Sequence, residues 1–117
     1  MKIRIQGNYI RLRLSQNEVE LFSNTGKVTD RIDFGSHTLS YELVTTKKNE
    51  VSAQFNESII SILVPEEISE IWTNTDQVGI ENGDQSLIRI LVEKDFQCLH
   101  KRSGEDESNN FPNPMAK

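Results

Sequence analysis

The chain opens on two alternating runs of opposite parity. Ile3 and Ile5 fall on odd positions, whereas Ile10, Leu12 and Leu14 fall on even ones. Burial with a period of two cannot survive that change inside one regular strand, so Gly7-Asn8 is read as a turn or bulge between two strands. A Gly-Asn pair between alternating runs favours a tight hairpin. At Ser15 the period changes. Glu18 stands three residues on, which is the capping-box spacing, Val19 and Phe22 lie one helical turn apart, and Gly26 closes the segment as a left-handed cap. Val28 to Phe34 and Leu39 to Thr45 read as two strands around Gly35-Ser36, and Thr46 to Glu50 as a charged connector.

The same order then recurs. Under a shift of fifty residues Met1, Ile3, Ile5, Ile10, Leu12, Leu14, Leu21 and Phe22 fall on Val51, Ala53, Phe55, Ile60, Ile62, Val64, Ile71 and Trp72. Ser15 falls on Pro65, a residue favoured at the first helical position. Under a shift of forty-eight, Ile32, Gly35, Leu39, Leu43 and Val44 fall on Ile80, Gly83, Leu87, Leu91 and Val92. Helices of about eight to ten residues do not persist alone. Val19, Leu21 and Phe22 in one, and Ile68, Ile71 and Trp72 in the other, are therefore expected to lean on a sheet, with Phe22 and Trp72 near a pseudo-twofold axis. The fold expected is α+β: two pseudo-repeated hairpin–short helix–hairpin units, 1–50 and 51–99, forming one mainly antiparallel, sheet-rich domain. Chance alignment of common elements is the competing explanation. Residues 100–117 read as a polar, acidic, disordered tail, with Phe111 its only large apolar side chain.

Composition narrows the class. The 117 residues carry 13 Lys and Arg against 18 Asp and Glu, a formal charge of −5. That length suits one ordinary domain. No apolar run approaches a membrane span, and the start shows no signal-peptide pattern. A single cysteine cannot form an intramolecular disulfide, so a cytoplasmic setting is expected. Metal-ligand spacings, phosphate-binding glycine loops and nucleophile elbows are absent from the sequence, and no cofactor or metal is expected.

Three constellations remain. Cys98 and His100 share one face of an extended segment, near Asp95, with Lys101 and Arg102 able to favour a thiolate. The plainer reading makes Cys98 a small buried hydrophobe. A metal site would need two further ligands, with His37 arriving from mid-chain. The second constellation is a basic ladder, Lys2, Arg4, Arg11 and Arg13, which a hairpin would line along its outer face as a site for an anion or an acidic partner. Its plain alternative is a solvated face neutralised by acidic cross-strand neighbours. The acidic chain and the lack of stacking aromatics among the arginines argue against nucleic acid. The third is Glu105-Asp106-Glu107, which lacks calcium-loop spacing and reads first as a solvated charge run; its charge also suits folding back on the ladder, with Phe111 docking in a shallow apolar site.

Leu91-Val92-Glu93-Lys94-Asp95-Phe96-Gln97-Cys98-Leu99, the acidic stretch with Phe111-Pro112-Asn113-Pro114, and the opening Met1-Lys2-Ile3-Arg4-Ile5 with Ile10-Arg11-Leu12-Arg13-Leu14 together resemble a family of short bacterial proteins known only as a domain of unknown function. The resemblance implies a bacterial, cytosolic, single-domain protein and carries no activity or functional residue. Two function classes stay open. One is a non-enzymatic binding or assembly module that holds an unknown protein or small acidic ligand, with a homodimer open. The other is a small enzyme or thiol sensor using Cys98 with His100.

Overall fold

The computed structural model describes residues 1–83 and 86–96. Ten elements follow in order: β1 (Lys2–Ile5), β2 (Tyr9–Leu14), α1 (Gln16–Thr25), β3 (Lys27–Asp33), β4 (Thr38–Thr46), β5 (Ser52–Asn56), β6 (Ile59–Pro65), α2 (Glu66–Asn74), β7 (Gly79–Glu81) and β8 (Arg89–Lys94). The last five repeat the series of the first five. The first turn is the predicted one. Gly7 takes φ 57° at its first central position, the geometry of a type II′ hairpin, and Ile5 pairs with Ile10 across it. The counterpart turn at Glu57-Ser58 has φ 52° and 65° on two residues that both bear a Cβ, a type I′ geometry that ordinarily calls for Asn-Gly.

Both helices lie where their caps direct. Ser15 accepts from the Glu18 amide while the Glu18 side chain accepts from the Ser15 amide, and Gly26 ends α1 at φ 79°, its amide donating to the Phe22 carbonyl at 2.8 Å. Pro65 occupies the cap itself rather than the first helical turn, so α2 starts at Glu66 without a side-chain cap bond.

The halves interlock. One sheet runs β1-β2-β8-β7 and the other β3-β4-β6-β5. Exchanging the two series of five converts the first order into the second, so the topology has a twofold symmetry. Each sheet takes one hairpin from each half. Four antiparallel pairs are hairpins, but the central pairs, β2 with β8 and β4 with β6, are parallel and join the halves. One apolar cluster gathers the inward positions of both sheets, including Leu12, Leu14, Leu43, Ile62, Val64 and Val92. Phe22 and Trp72 meet edge to face inside it, centroids 6.2 Å apart and planes at 69°, and the Trp72 indole N–H donates to the Val78 carbonyl at 2.9 Å. The expectation of a shared pseudo-axis is met.

Three expectations need correction. Leu12 faces Val92 while its counterpart Ile62 faces Leu43, so Leu43 corresponds to Val92 and not to Leu91. Likewise Val28, not Ile32, corresponds to Ile80, because each pairs with that same inward residue of its hairpin. The constant shift of forty-eight fails because the two hairpins differ in strand and loop length, and a one-residue slip reverses the face. Leu21 and Ile71 are 48% and 54% exposed. Each sits about 100° around its helix from the buried Phe22 or Trp72, and about 200° from the inward Val19 or Ser69. The sequence places most of the eight aromatics at inward parity of a strand or on the apolar edge of a helix, as core side chains; Phe34, Phe55 and Phe96 are instead exposed. Phe34 lies in the β3–β4 turn and Phe55 near the end of edge strand β5, where inward parity no longer secures cover.

Candidate functional site

The ladder residues assemble on the outer face of the first sheet because β1 and β2 alternate. Ile10, Leu12 and Leu14 turn into the core, so Tyr9, Arg11 and Arg13 turn outward. The register places Lys2 opposite Arg13 and Arg4 opposite Arg11. Like charges thus stand directly opposite, an arrangement that opposes pairing. A pocket of roughly 200 Å3 is lined by Lys2, Ile3, Arg4, Arg11 and Arg13, so all four predicted residues are brought together.

β8 supplies the acidic neighbour that the plainer reading calls for. Glu93 lies opposite Arg13 in the parallel pair. Its Oε1 accepts from Arg11 Nε at 2.9 Å, from Arg11 Nη2, and from Arg13 Nε at 3.0 Å. Partial burial raises the Glu93 pKa, but the hydrogen bonds and charges of the two guanidiniums outweigh it and hold the carboxyl below its ordinary range. Just past β8, Asp95 pairs with Lys2 Nζ at 3.0 Å and ties its amide to the Leu14 carbonyl at 2.9 Å.

One further row belongs to this face. Tyr9 is opposite Arg89, and the Arg89 guanidinium lies over the Tyr9 ring, 5.4 Å from its centroid. An aromatic therefore does share the face of the arginines. Its parity with Arg11 and Arg13 was the signal that identifies it in sequence. Arg89 and Glu93 carry no such local signal, because β8 joins β2 only through the fold.

The second sheet is the internal control. At the positions of Lys2, Arg4, Arg11 and Arg13 it has Ser52, Gln54, Ser61 and Leu63, and at Tyr9, Arg89 and Glu93 it has Ile59, Ser40 and Val44. Its outer face holds a smaller polar set. Ser61 Oγ donates to Glu42 at 2.6 Å, and Lys27 Nζ approaches Glu42 at 3.7 Å.

Elsewhere, the Met1 α-ammonium donates to Glu18 and, at 3.3 Å, to Asp30, while the Tyr41 hydroxyl donates to the Met1 carbonyl at 2.9 Å. Burial raises the Glu18 pKa, but hydrogen bonds from the ammonium and from Ser15 lower it on balance. Tyr41 is raised by burial and by the charges of Asp30 and Glu18. A groove of roughly 1100 Å3 beside both helices is lined by Val19, Glu20, Thr73, Asp76, Lys94 and Phe96 among others. Among the described residues no three His, Cys, Asp or Glu side chains gather to hold a metal ion, and no helix is long and apolar enough to cross a membrane. His37 lies exposed at the β3–β4 turn. Cys98, His100, Glu105, Asp106, Glu107 and Phe111 lie outside the described residues.

No curated protein and no solved structure matches this chain. A family model does, over residues 1–115. The chain belongs to the DUF7009 family, a family of unknown function.

Proposed function

We propose that this chain is a non-enzymatic binding or assembly module of the cytoplasm, and that the Lys2–Arg4–Arg11–Arg13 face holds an acidic partner surface or a small acidic ligand. One observation carries the reading. Two like-charged cross-strand pairs stand on one sheet, while the symmetry-related sheet is built with Ser52, Gln54, Ser61 and Leu63 at the same positions. Pairs of this kind shift stability on the order of 0.2–1 kcal/mol each. Glu93 and Asp95 compensate part of that cost, but the symmetry-related sheet forms without any of these cations, so a role in recognition accounts for them. Glu93 supports the reading from the other side. It holds Arg11 and Arg13 in place and occupies them as an internal anion.

The test is binding of pyrophosphate and of a glutamate-rich peptide by the full chain, read by calorimetry at low and high salt. The reading expects at least one to bind, to weaken as salt rises, and to weaken further in Lys2→Ser/Arg4→Gln. If neither binds at low salt, or if that double variant binds as well as the parent, this face is not the site.

A further inference from the structure

We infer, resting on the reading just given, that the ligand is a nucleoside monophosphate, with its phosphate in the Lys2–Arg4–Arg11–Arg13 pocket and its base on the Arg89 guanidinium. Three observations converge on this pairing. The first is size. A pocket of roughly 200 Å3 falls below the ~300–1,000 Å3 of a complete small-molecule site, so it takes a head group and leaves the rest of the ligand on the open sheet face.

The second concerns the head group. A carboxylate on this face is already supplied: one oxygen of Glu93 engages both Arg11 and Arg13. A second carboxylate would offer the guanidiniums nothing that Glu93 does not. A phosphate monoester brings three acceptor oxygens and a charge near −2. Its oxygens point in three directions and can address more than two of the four corners together. Those corners stand about 5 Å apart across the strands and about 7 Å apart along them, within reach of one oxyanion for side chains as long as lysine and arginine.

The third is the adjoining row. Tyr9 precedes Arg11 on the same face, about 7 Å back along β2. Arg89 is exposed, with its guanidinium 5.4 Å from the centroid of that ring, so a planar cation is open to solvent beside the aromatic. Bases stack on such planes as they do on aromatic rings. Phosphate corner and stacking platform are thus separated by a span that a pentose bridges. Ile59 and Ser40 stand in place of Tyr9 and Arg89 on the second sheet, so corner and platform are present together or absent together.

The experiment compares adenosine 5′-monophosphate, ribose 5-phosphate, adenosine and a phosphotyrosyl peptide on the full chain at low salt. The monophosphate should bind about tenfold or more tightly than ribose 5-phosphate, the gain expected from stacking one base. Arg89→Ser should remove that gain, weakening the monophosphate about tenfold more than ribose 5-phosphate, so that the two phosphates bind that variant alike. Equal binding of the two phosphates, or an Arg89→Ser variant that keeps the tenfold difference, overturns the stacking platform and leaves the acidic-ligand reading standing. A phosphotyrosyl peptide that outbinds the monophosphate, or a glutamate-rich peptide that binds where no phosphate compound does, also overturns the nucleotide alone. Failure of every anion overturns both.

Discussion

Replacing Glu93 with glutamine should move stability and binding in opposite directions. The carboxylate accepts from Arg11 Nε at 2.9 Å and Arg13 Nε at 3.0 Å, with Arg11 Nη2 as a further donor. It is only 15% exposed. Hydrogen bonds to charged groups contribute about 1.5–3 kcal/mol when sheltered, and fully exposed ion pairs ~0–1. Glutamine keeps the shape and one acceptor but removes the charge, so a loss of about 1–2 kcal/mol follows. For a domain of this size that lowers the melting temperature by about 5–10 °C at low salt. The same change removes a competitor for Arg11 and Arg13. Affinity for a phosphate compound should rise about tenfold, the equivalent of roughly 1.4 kcal/mol, and added phosphate should recover stability more in the variant than in the parent. The pH dependence has a fixed sign. Because the Glu93 pKa is depressed in the fold, its contribution is complete above the unfolded value of about 4.3 and disappears as pH falls through the lower folded value. Parent and variant melting curves should therefore converge in acid. Thermal melts followed by circular dichroism, with and without phosphate, read all of this. A variant as stable as the parent at low salt and neutral pH would refute the argument, as would one that binds phosphate more weakly.

The remaining predictions concern the scaffold. Glu57→Asn with Ser58→Gly should stabilise by about 1 kcal/mol, because the type I′ turn holds two residues at positive φ; a lower denaturation midpoint would contradict that assignment. Phe22→Ala and Trp72→Ala should each cost about 3–5 kcal/mol. The double-mutant cycle should show coupling of about 0.5–1.5 kcal/mol, whereas additive effects would deny the edge-to-face contact its role. Ser15→Ala should cost about 1 kcal/mol through the lost cap. Glu18, depressed in the fold, contributes stability that is present above pH ~4.3 and lost as pH falls below it. Glu18→Gln should flatten that part of the acid titration.

What could be read in the sequence was what is encoded locally. Parity around Gly7-Asn8, the Ser15–Glu18 box and the Gly26 cap each lie within a few residues, and each stands where the pattern placed it. The ladder was legible for the same reason, since one hairpin carries all four cations. The parallel pairing of β2 with β8 brings together residues about eighty positions apart, with no turn to announce it. Everything that depends on it escaped: Glu93 between two arginines, Arg89 over Tyr9, and the exchange of hairpins between sheets. The misregistered second hairpins have a different cause. Leu91 and Val92 are both apolar, so hydropathy does not say which of them faces inward, and only the β8 pairing with Leu12 decides.

The most direct measurement exchanges the face itself. Lys2→Ser, Arg4→Gln, Arg11→Ser, Arg13→Leu and Glu93→Val together give the first sheet the residues its symmetry partner already uses. Urea denaturation at low ionic strength, with monophosphate titration on the same sample, should show cooperative unfolding at or above the parental midpoint and no ligand binding. A variant that fails to fold cooperatively would show that the cations serve the scaffold. One that folds and still binds would place recognition elsewhere on the molecule.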